Sequence, residues 1–213
     1  MTSAYLRGQE LVDAIQSSSY SRDLIGYHGQ VPHAQWPNQA KIAVQFVLNY
    51  EEGGENHVEH GDLGSEQFLS EIVGATSFNA KHMSMDSMYE YGSRAGFWRI
   101  HQEFQKRGLP MTIFGVGMAL ARNPYVVEAI QQAHYDVVSH GQRWLHYQHI
   151  DIDTERQHMD QAISVLEALF GKTPIGWYTG RDSPNTRQLL AEFPQIQYDC
   201  DYYGDDLDRK STR

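Results

Sequence analysis

Short apolar runs separated by polar segments organise this chain. The run KIAVQFVLNY at 41–50 is dense in β-branched and aromatic residues, which predicts a buried β-strand. Four later runs of the same kind predict further strands at 111–117, 135–140, 174–179 and 196–201. The polar segment after 41–50, which begins EEGGENHVEHGD, is predicted to be a long connection.

Helical spacing of apolar residues fills the gaps between these strands. Phe97, Ile100 and Phe104 recur at helical intervals, and the Asn123-Pro124 pair is typical of a helix start. Helices are predicted at 96–108, 123–133, 154–170 and 185–193. Strands that alternate with helices predict βαβ units and a largely parallel sheet, which is an α/β fold.

The first 40 residues differ from the rest because they are polar and contain Pro32 and Pro37. Residues 5–17 could form a short amphipathic helix, and the remainder is expected to be extended. The predicted organisation is therefore an N-terminal arm at 1–40 and a single α/β domain at 41–213.

Composition narrows the classes of protein that remain. The 213 residues are 40% hydrophobic, which is ample for a packed core, and the net charge of −10 argues against nucleic acid as a partner. No apolar run approaches the roughly 20 residues of a membrane span, and the opening residues lack a secretory signal core. The single cysteine, Cys200, favours a reducing compartment, so we expect a cytoplasmic protein without membrane partners.

Titratable residues follow the predicted strands. Glu51-Glu52 comes directly after the first, His140 after the third, and Arg181 after the fourth. Because the carboxyl ends of parallel strands share one edge of a sheet, we expect these side chains to form a site. Two nearby carboxylates raise the pKa of one another, which would suit a general base. The alternatives are a solvated acidic loop and a histidine that serves packing.

Other motifs carry weaker signals. The His57-x-x-His60 spacing could bind a divalent ion, although an exposed flexible loop is the simpler interpretation. The run FGVG at 114–117 lacks the third glycine of a nucleotide fingerprint. Cys200 has no evident histidine partner and is expected to be a packing residue.

Two stretches resemble the motifs of the polysaccharide deacetylase (NodB-homology) family. Residues 49–53, NYEEG, resemble its T-F-D-D-G motif, and residues 139–144, SHGQRW, resemble its S/T-H-x-x-x-H motif. The segments YEYGSRAGFWRI and RDLIGYHGQVPHAQWP resemble the cofactor-independent allantoinase branch of the family. The resemblance covers residues 20–207 and implies a distorted, incomplete (β/α) barrel.

One departure from the family motif concerns the metal. In the metal-dependent deacetylases, the positions that match Glu52, His140 and Trp144 bind the ion. An indole nitrogen is a donor only, so at most two ligands remain here, whereas a catalytic zinc site normally has three from the protein. No metal and no other cofactor are therefore expected, as the allantoinase resemblance also implies.

The resemblance implies an amidohydrolase that opens the hydantoin ring of allantoin to allantoate, a reaction of purine and ureide catabolism. Glu51 occupies the family's general-base position and would take a proton from the attacking water. His140 and Glu52 would hold that water or the developing oxyanion. The residues predicted to bind substrate are Trp144, Tyr50, Arg181 and Trp177.

Two other functions remain open. The first is a metal-dependent carbohydrate N-deacetylase, in which His146, His57 or His60 replaces the missing ligand. The second is a non-catalytic, truncated family member. The family contributes a late catalytic histidine, but no histidine follows His158 here, so a C-terminally truncated barrel and another general acid are expected. The resemblance also implies a homo-oligomer, namely a tetramer.

Overall fold

A computed structural model describes residues 5–204, and these form an α/β fold around a five-stranded parallel sheet. The strands are β1 (Val47–Tyr50), β2 (Thr112–Gly115), β3 (Asp136–Ser139), β4 (Gly176–Trp177) and β5 (Tyr198–Asp199). They lie side by side in the order of the sequence, and every neighbouring pair is parallel. The predicted α/β class, with its parallel sheet, is confirmed.

Helices connect the strands. They are α1 (Gly8–Ser17), α2 (Met83–Tyr91), α3 (Phe97–Arg107), α4 (Gly117–Arg122), α5 (Pro124–Gln132), α6 (Ile152–Phe170) and α7 (Thr186–Leu190). One turn of π-helix, Gly92–Gly96, joins α2 to α3, and short 3-10 turns lie at Pro37–Gln39, Val58–His60 and Tyr147–His149. No helix within residues 5–204 has both the length and the apolar character that a membrane span requires.

The chain divides into two compact units, Met1–Ala43 and Val44–Arg213. The described part of the first unit contains α1, none of whose residues is buried. The second unit contains the sheet and all of α2 to α7. The functional residues discussed below belong to this second unit.

Local signals place several helix ends correctly. Asn123 Oδ1 accepts a hydrogen bond from the Val126 N–H at 3.3 Å, and Pro124 takes the first helical position of α5. Helix α6 starts two residues earlier than predicted because Asp151 caps it, accepting from the Thr154 N–H at 2.9 Å. Gly171 ends α6 in the left-handed region, with a φ of 69°.

Three predictions about elements require correction. The first strand pairs only over Val47–Tyr50, and Ile42 and Val44 upstream of it are exposed rather than buried. Helix α2 lies in the segment predicted to be a connection, and it buries only Met85 and Tyr89, too few to produce a helical pattern. The second strand ends at Gly115, since Gly117 already begins α4.

The two faces of the sheet have different roles. Leu48 is in register with Ile113 and Val137, and these side chains pack in the core against the helices. Side chains alternate along each strand, so Asn49 and Phe114, which are also in register, belong to the opposite face. That opposite face leads at the carboxyl ends of the strands to the candidate site.

Candidate active site

A carboxylate and an imidazole from different strands meet beyond the sheet. His140 Nε2 lies 2.8 Å from Glu51 Oε1, and Asn49 Nδ2 donates to the same oxygen at 3.0 Å. The His140 side chain is 1% exposed and that of Glu51 is 17% exposed. The two predicted catalytic residues are therefore neighbours, with the imidazole buried and the carboxylate reachable from solvent.

The contacts of His140 constrain which of its ring nitrogens can donate. Its Nδ1 lies 2.8 Å from the Tyr178 carbonyl oxygen, which can only accept, so Nδ1 must carry a hydrogen. A neutral ring would then have a lone pair on Nε2, facing a carboxylate oxygen that also only accepts. The 2.8 Å contact is a hydrogen bond only in the state with one further proton, which His140 and Glu51 then share.

Aromatic rings surround this shared proton. The Tyr178 ring centroid lies 4.9 Å from that of His140, and the Phe114 centroid lies 6.4 Å away. The Tyr203 hydroxyl donates to the Tyr178 hydroxyl at 3.0 Å, which fixes the tyrosine ring. An apolar wall of this kind strengthens a charged hydrogen bond because water competes for it less.

Glu52 points elsewhere. Its Oε2 accepts from the Glu51 N–H at 3.2 Å, and its side chain lies so close to Gly92 that a Cβ there would clash with Oε1. Burial raises the pKa of Glu52, and the nearby charges of Glu51 and Glu55 act in the same direction. Glu52 lines a cavity of about 330 Å³, whose other polar side chains include Glu55, His57, Asp86 and Arg122.

This burial makes a prediction for Glu52→Gln. Burial raises the pKa of Glu52 in the folded protein above its ordinary value of 4.5. Above pH 4.5 the ionised form of Glu52 therefore destabilises the folded state, increasingly as the pH rises. The variant lacks this penalty and is expected to be more stable than the wild type at pH 7, with a difference that shrinks towards about pH 4. Urea unfolding across this range measures it, with the exposed Glu128→Gln on α5 as control. A difference that does not change with pH contradicts the assignment.

The loop that carries His57 and His60 was predicted to be exposed and flexible. In the structure it is partly buried, and hydrogen bonds connect it to the rest of the protein. His57 Nε2 lies 3.3 Å from Asp86 Oδ1, and the side chain of His57 is 13% exposed. His60 Nδ1 lies 3.2 Å from the Glu55 carbonyl oxygen, and Arg122 Nη2 lies 3.1 Å from Nε2. Both ring nitrogens of His60 are therefore engaged by protein groups.

Trp144 and Arg181 form a second buried group. The Arg181 Cζ lies 3.4 Å from the centre of the Trp144 ring, and Arg181 Nη1 donates to Glu66 Oε2 at 3.0 Å. Phe68 packs edge-on against Trp144, with centroids 5.3 Å apart. Glu66 was not predicted, because it lies in a polar connection without any motif. Asn49 and Tyr178, which contact the catalytic pair, were not singled out either.

Two residues predicted to bind substrate belong instead to the helix-facing core. Tyr50 is 2% exposed, packs edge-on against Phe97, and accepts a hydrogen bond from Asn123 Nδ2 at 3.0 Å. Burial raises its pKa to about 12. Trp177 is 2% exposed and packs with residues of α6 and α7. Both lie on the strand face opposite Asn49, so their role is packing rather than the predicted substrate binding. Tyr50 also borders the cavity beside Glu52.

The metal of the family's deacetylases does not fit these side chains. Trp144 offers no lone pair, Glu52 faces the cavity beside Gly92, and His140 uses both nitrogens in hydrogen bonds. Across residues 5–204, no group of three or more His, Cys, Asp or Glu side chains is arranged to hold a metal ion.

An acid–imidazole pair beyond the carboxyl ends of parallel strands puts groups suited to general acid–base catalysis where α/β sheets bind their ligands. Comparison with known proteins agrees, because the family model for polysaccharide deacetylase matches residues 74–198. The chain belongs to the polysaccharide deacetylase family, which is a family of hydrolases. The predicted family is thus confirmed.

Individual relatives are similar over most of the chain. A crystal structure of PuuE allantoinase is 53% identical over 89% of this chain, with a TM-score of 0.84. A Pseudomonas aeruginosa PAO1 structure assigned as a polysaccharide deacetylase is 53% identical over 91% of the chain, with a TM-score of 0.85. A Schizosaccharomyces pombe protein assigned to the polysaccharide deacetylases is 41% identical over 87% of the chain.

The chain is shorter than these relatives. It covers 61% of the yeast protein, 63% of the PuuE allantoinase chain and 66% of the Pseudomonas chain. The activity of a whole relative therefore extends to this chain only as a proposal.

Proposed function

We propose that this chain is a hydrolase that opens the hydantoin ring of allantoin to allantoate without a metal. The observation that carries the proposal is the contact of Glu51 with His140, together with a tryptophan at the motif position where the deacetylases have a second metal-binding histidine. The 53% identity to PuuE allantoinase supports the choice of substrate. Allantoin opening is a step of purine catabolism, and that is the proposed setting.

The first half of the reaction uses Glu51. Its Oε1 accepts from Asn49 and His140, whereas Oε2 has no hydrogen-bond partner among residues 5–204. We assign Oε2 as the acceptor of a proton from water, whose oxygen then attacks the ring amide carbonyl. General-base assistance of this kind contributes about 10²–10⁴-fold to a rate.

The second half requires a proton for the leaving nitrogen. When the carbon–nitrogen bond of the ring breaks, that nitrogen takes up a proton and the carbonyl carbon becomes a carboxylic acid. The acid then releases its proton to solvent and becomes the carboxylate of allantoate. The proton shared by Glu51 and His140 is placed to supply it, and the proton taken from water restores the pair. This assignment gives the general-acid role to the same pair of residues.

Removal of metal tests the proposal. Metal-stripped protein is expected to open allantoin at the same rate as untreated protein, because each proton transfer uses protein groups alone. Allantoate formation is measured with and without chelator, and bound metal is determined by elemental analysis. Stoichiometric zinc and activity lost to the chelator would instead favour the carbohydrate N-deacetylase. A folded sample that hydrolyses neither allantoin nor an N-acetylated oligosaccharide would favour the non-catalytic alternative.

The cellular setting remains a prediction. A cytoplasmic location and a homotetramer are expected from the sequence and from the family resemblance. Light scattering after size-exclusion chromatography measures the mass of the assembly, and fractionation of cells measures the location.

A further inference from the structure

Three buried side chains form a stack. Two of them closely follow residues of the site in the sequence, since Arg181 comes three residues after Tyr178, which contacts His140, and Trp144 comes four residues after His140. Arg181 lies between the carboxylate of Glu66 and the face of Trp144, 3.0 Å from the former and 3.4 Å from the centre of the latter. Trp144 is 7% exposed, Arg181 8% and Glu66 9%. Burial of this extent makes a guanidinium-on-indole contact stronger than it would be in water.

Glu66 is held rigidly. Its Oε1 accepts from the N–H groups of Gln67 and Phe68, each at 2.9 Å, and its Oε2 accepts from Asn56 Nδ2 at 3.0 Å as well as from Arg181. Burial alone would raise the pKa of Glu66, but these hydrogen bonds lower it below the ordinary value. The carboxylate is therefore ionised and its direction is fixed, so it fixes the guanidinium in turn.

Arg181 retains donors that the protein does not use. Its Nη1 donates to Glu66, whereas Nε and Nη2 meet no acceptor among the described residues. Neither nitrogen is among the described side-chain atoms that are fully buried without a partner, so both can be reached from outside the protein. They suit an acceptor that a ligand brings.

The charge of the stack restricts the chemistry of that ligand. Glu66 neutralises Arg181 at 3.0 Å, so the pair as a whole attracts an anion weakly. The free N–H groups can still donate to a neutral carbonyl oxygen at full strength. Allantoin, unlike unsubstituted hydantoin, carries such an oxygen in its ureido group.

We infer that Glu66 is a positioning residue that holds the Arg181 guanidinium flat on Trp144, where its free N–H groups bind the ureido carbonyl of allantoin. This inference rests on the proposed function, since it names a specificity device of the same site. It also changes the role of Trp144: one face of the indole supports Arg181 and is closed to the substrate.

The Glu66→Gln variant of the full chain tests the inference by calorimetric titration with allantoin and with hydantoin. Loss of the ionised partner releases Arg181, so the Kd for allantoin is expected to rise roughly tenfold or more, the effect of one lost charge-assisted hydrogen bond. The Kd for hydantoin is expected to stay unchanged.

Controls separate this role from a structural one. Glu192→Gln removes an exposed ion pair with Arg156 and is expected to leave every Kd unchanged. Arg181→Lys keeps the charge but loses the planar donors, so it should show the same selective loss for allantoin even if Glu66→Gln does not fold.

Two outcomes overturn the inference: equal wild-type affinity for allantoin and hydantoin, or an equal change for both ligands in the variants. Allantoin opening by the wild type, measured in parallel, tests the proposed function separately. Turnover without selective binding contradicts only the inference. Selective binding without turnover supports the inference and contradicts only the function.

Discussion

Replacement of Glu51 by glutamine is expected to lower the kcat for allantoin by about 10²–10⁴-fold, the usual contribution of a general base. The amide is isosteric with the carboxylate but cannot accept a proton from water. It also cannot form the short, proton-sharing contact that Glu51 makes with His140 at 2.8 Å. The initial rate of allantoate formation at saturating allantoin measures the effect.

Binding and stability distinguish this loss from unfolding. The Kd for allantoin should remain close to that of the wild type because the amide fills the same space, and the variant should still unfold cooperatively although it loses the charged hydrogen bond to His140. Glu128→Gln on α5 makes the same chemical change at an exposed position and should retain full activity. Near-normal turnover by the Glu51→Gln variant would show that the base lies elsewhere.

Truncation of Trp144 to alanine is expected to destabilise the fold by about 3–5 kcal/mol, as for other large buried aromatic side chains. The ring is 7% exposed, and its centroid lies 5.3 Å from that of Phe68 and 6.5 Å from that of Tyr89. Its loss leaves a cavity and removes the surface on which the Arg181 guanidinium lies, 3.4 Å from the ring centre. Urea unfolding at constant pH measures the change.

A tryptophan at the surface provides the comparison. Trp36 is 36% exposed, so Trp36→Ala should change the free energy of unfolding by no more than about 0.5 kcal/mol. If Trp144→Ala cost less than about 1 kcal/mol, the surroundings would have to collapse onto the site, and the rigid support inferred for Arg181 would be wrong.

The meeting of Glu51 and His140 could be predicted from the sequence because it follows from topology alone. Both residues come directly after strands, and parallel strands bring their carboxyl ends to one edge. The pairing of Glu66 with Arg181 could not, since 115 residues separate them and Glu66 lies in a connection without a motif. Only the path of that connection brings the two side chains together.

The sequence also does not show which face of the sheet each strand residue occupies. Trp177 and Tyr178 are adjacent, yet Trp177 packs against helices while Tyr178 lies beside His140. Alternation requires that neighbours diverge, but the sequence does not state which one faces the site. The register of β4 against β3, with Ser139 opposite Trp177, decides it.

The sequence by itself determined the order of the five strands and of helices α3, α5, α6 and α7, the caps at Asn123 and Gly171, and the family motifs, because these depend on local propensity and spacing. Beyond the meeting of Glu51 and His140, tertiary structure alone decided where the side chains of the motifs lie. In the folded protein the Glu52 side chain lines a cavity, Tyr50 and Trp177 are buried in the core, and Glu66 pairs with Arg181. The physical reason is that burial and long-range hydrogen bonds depend on the packing of segments that no local pattern connects.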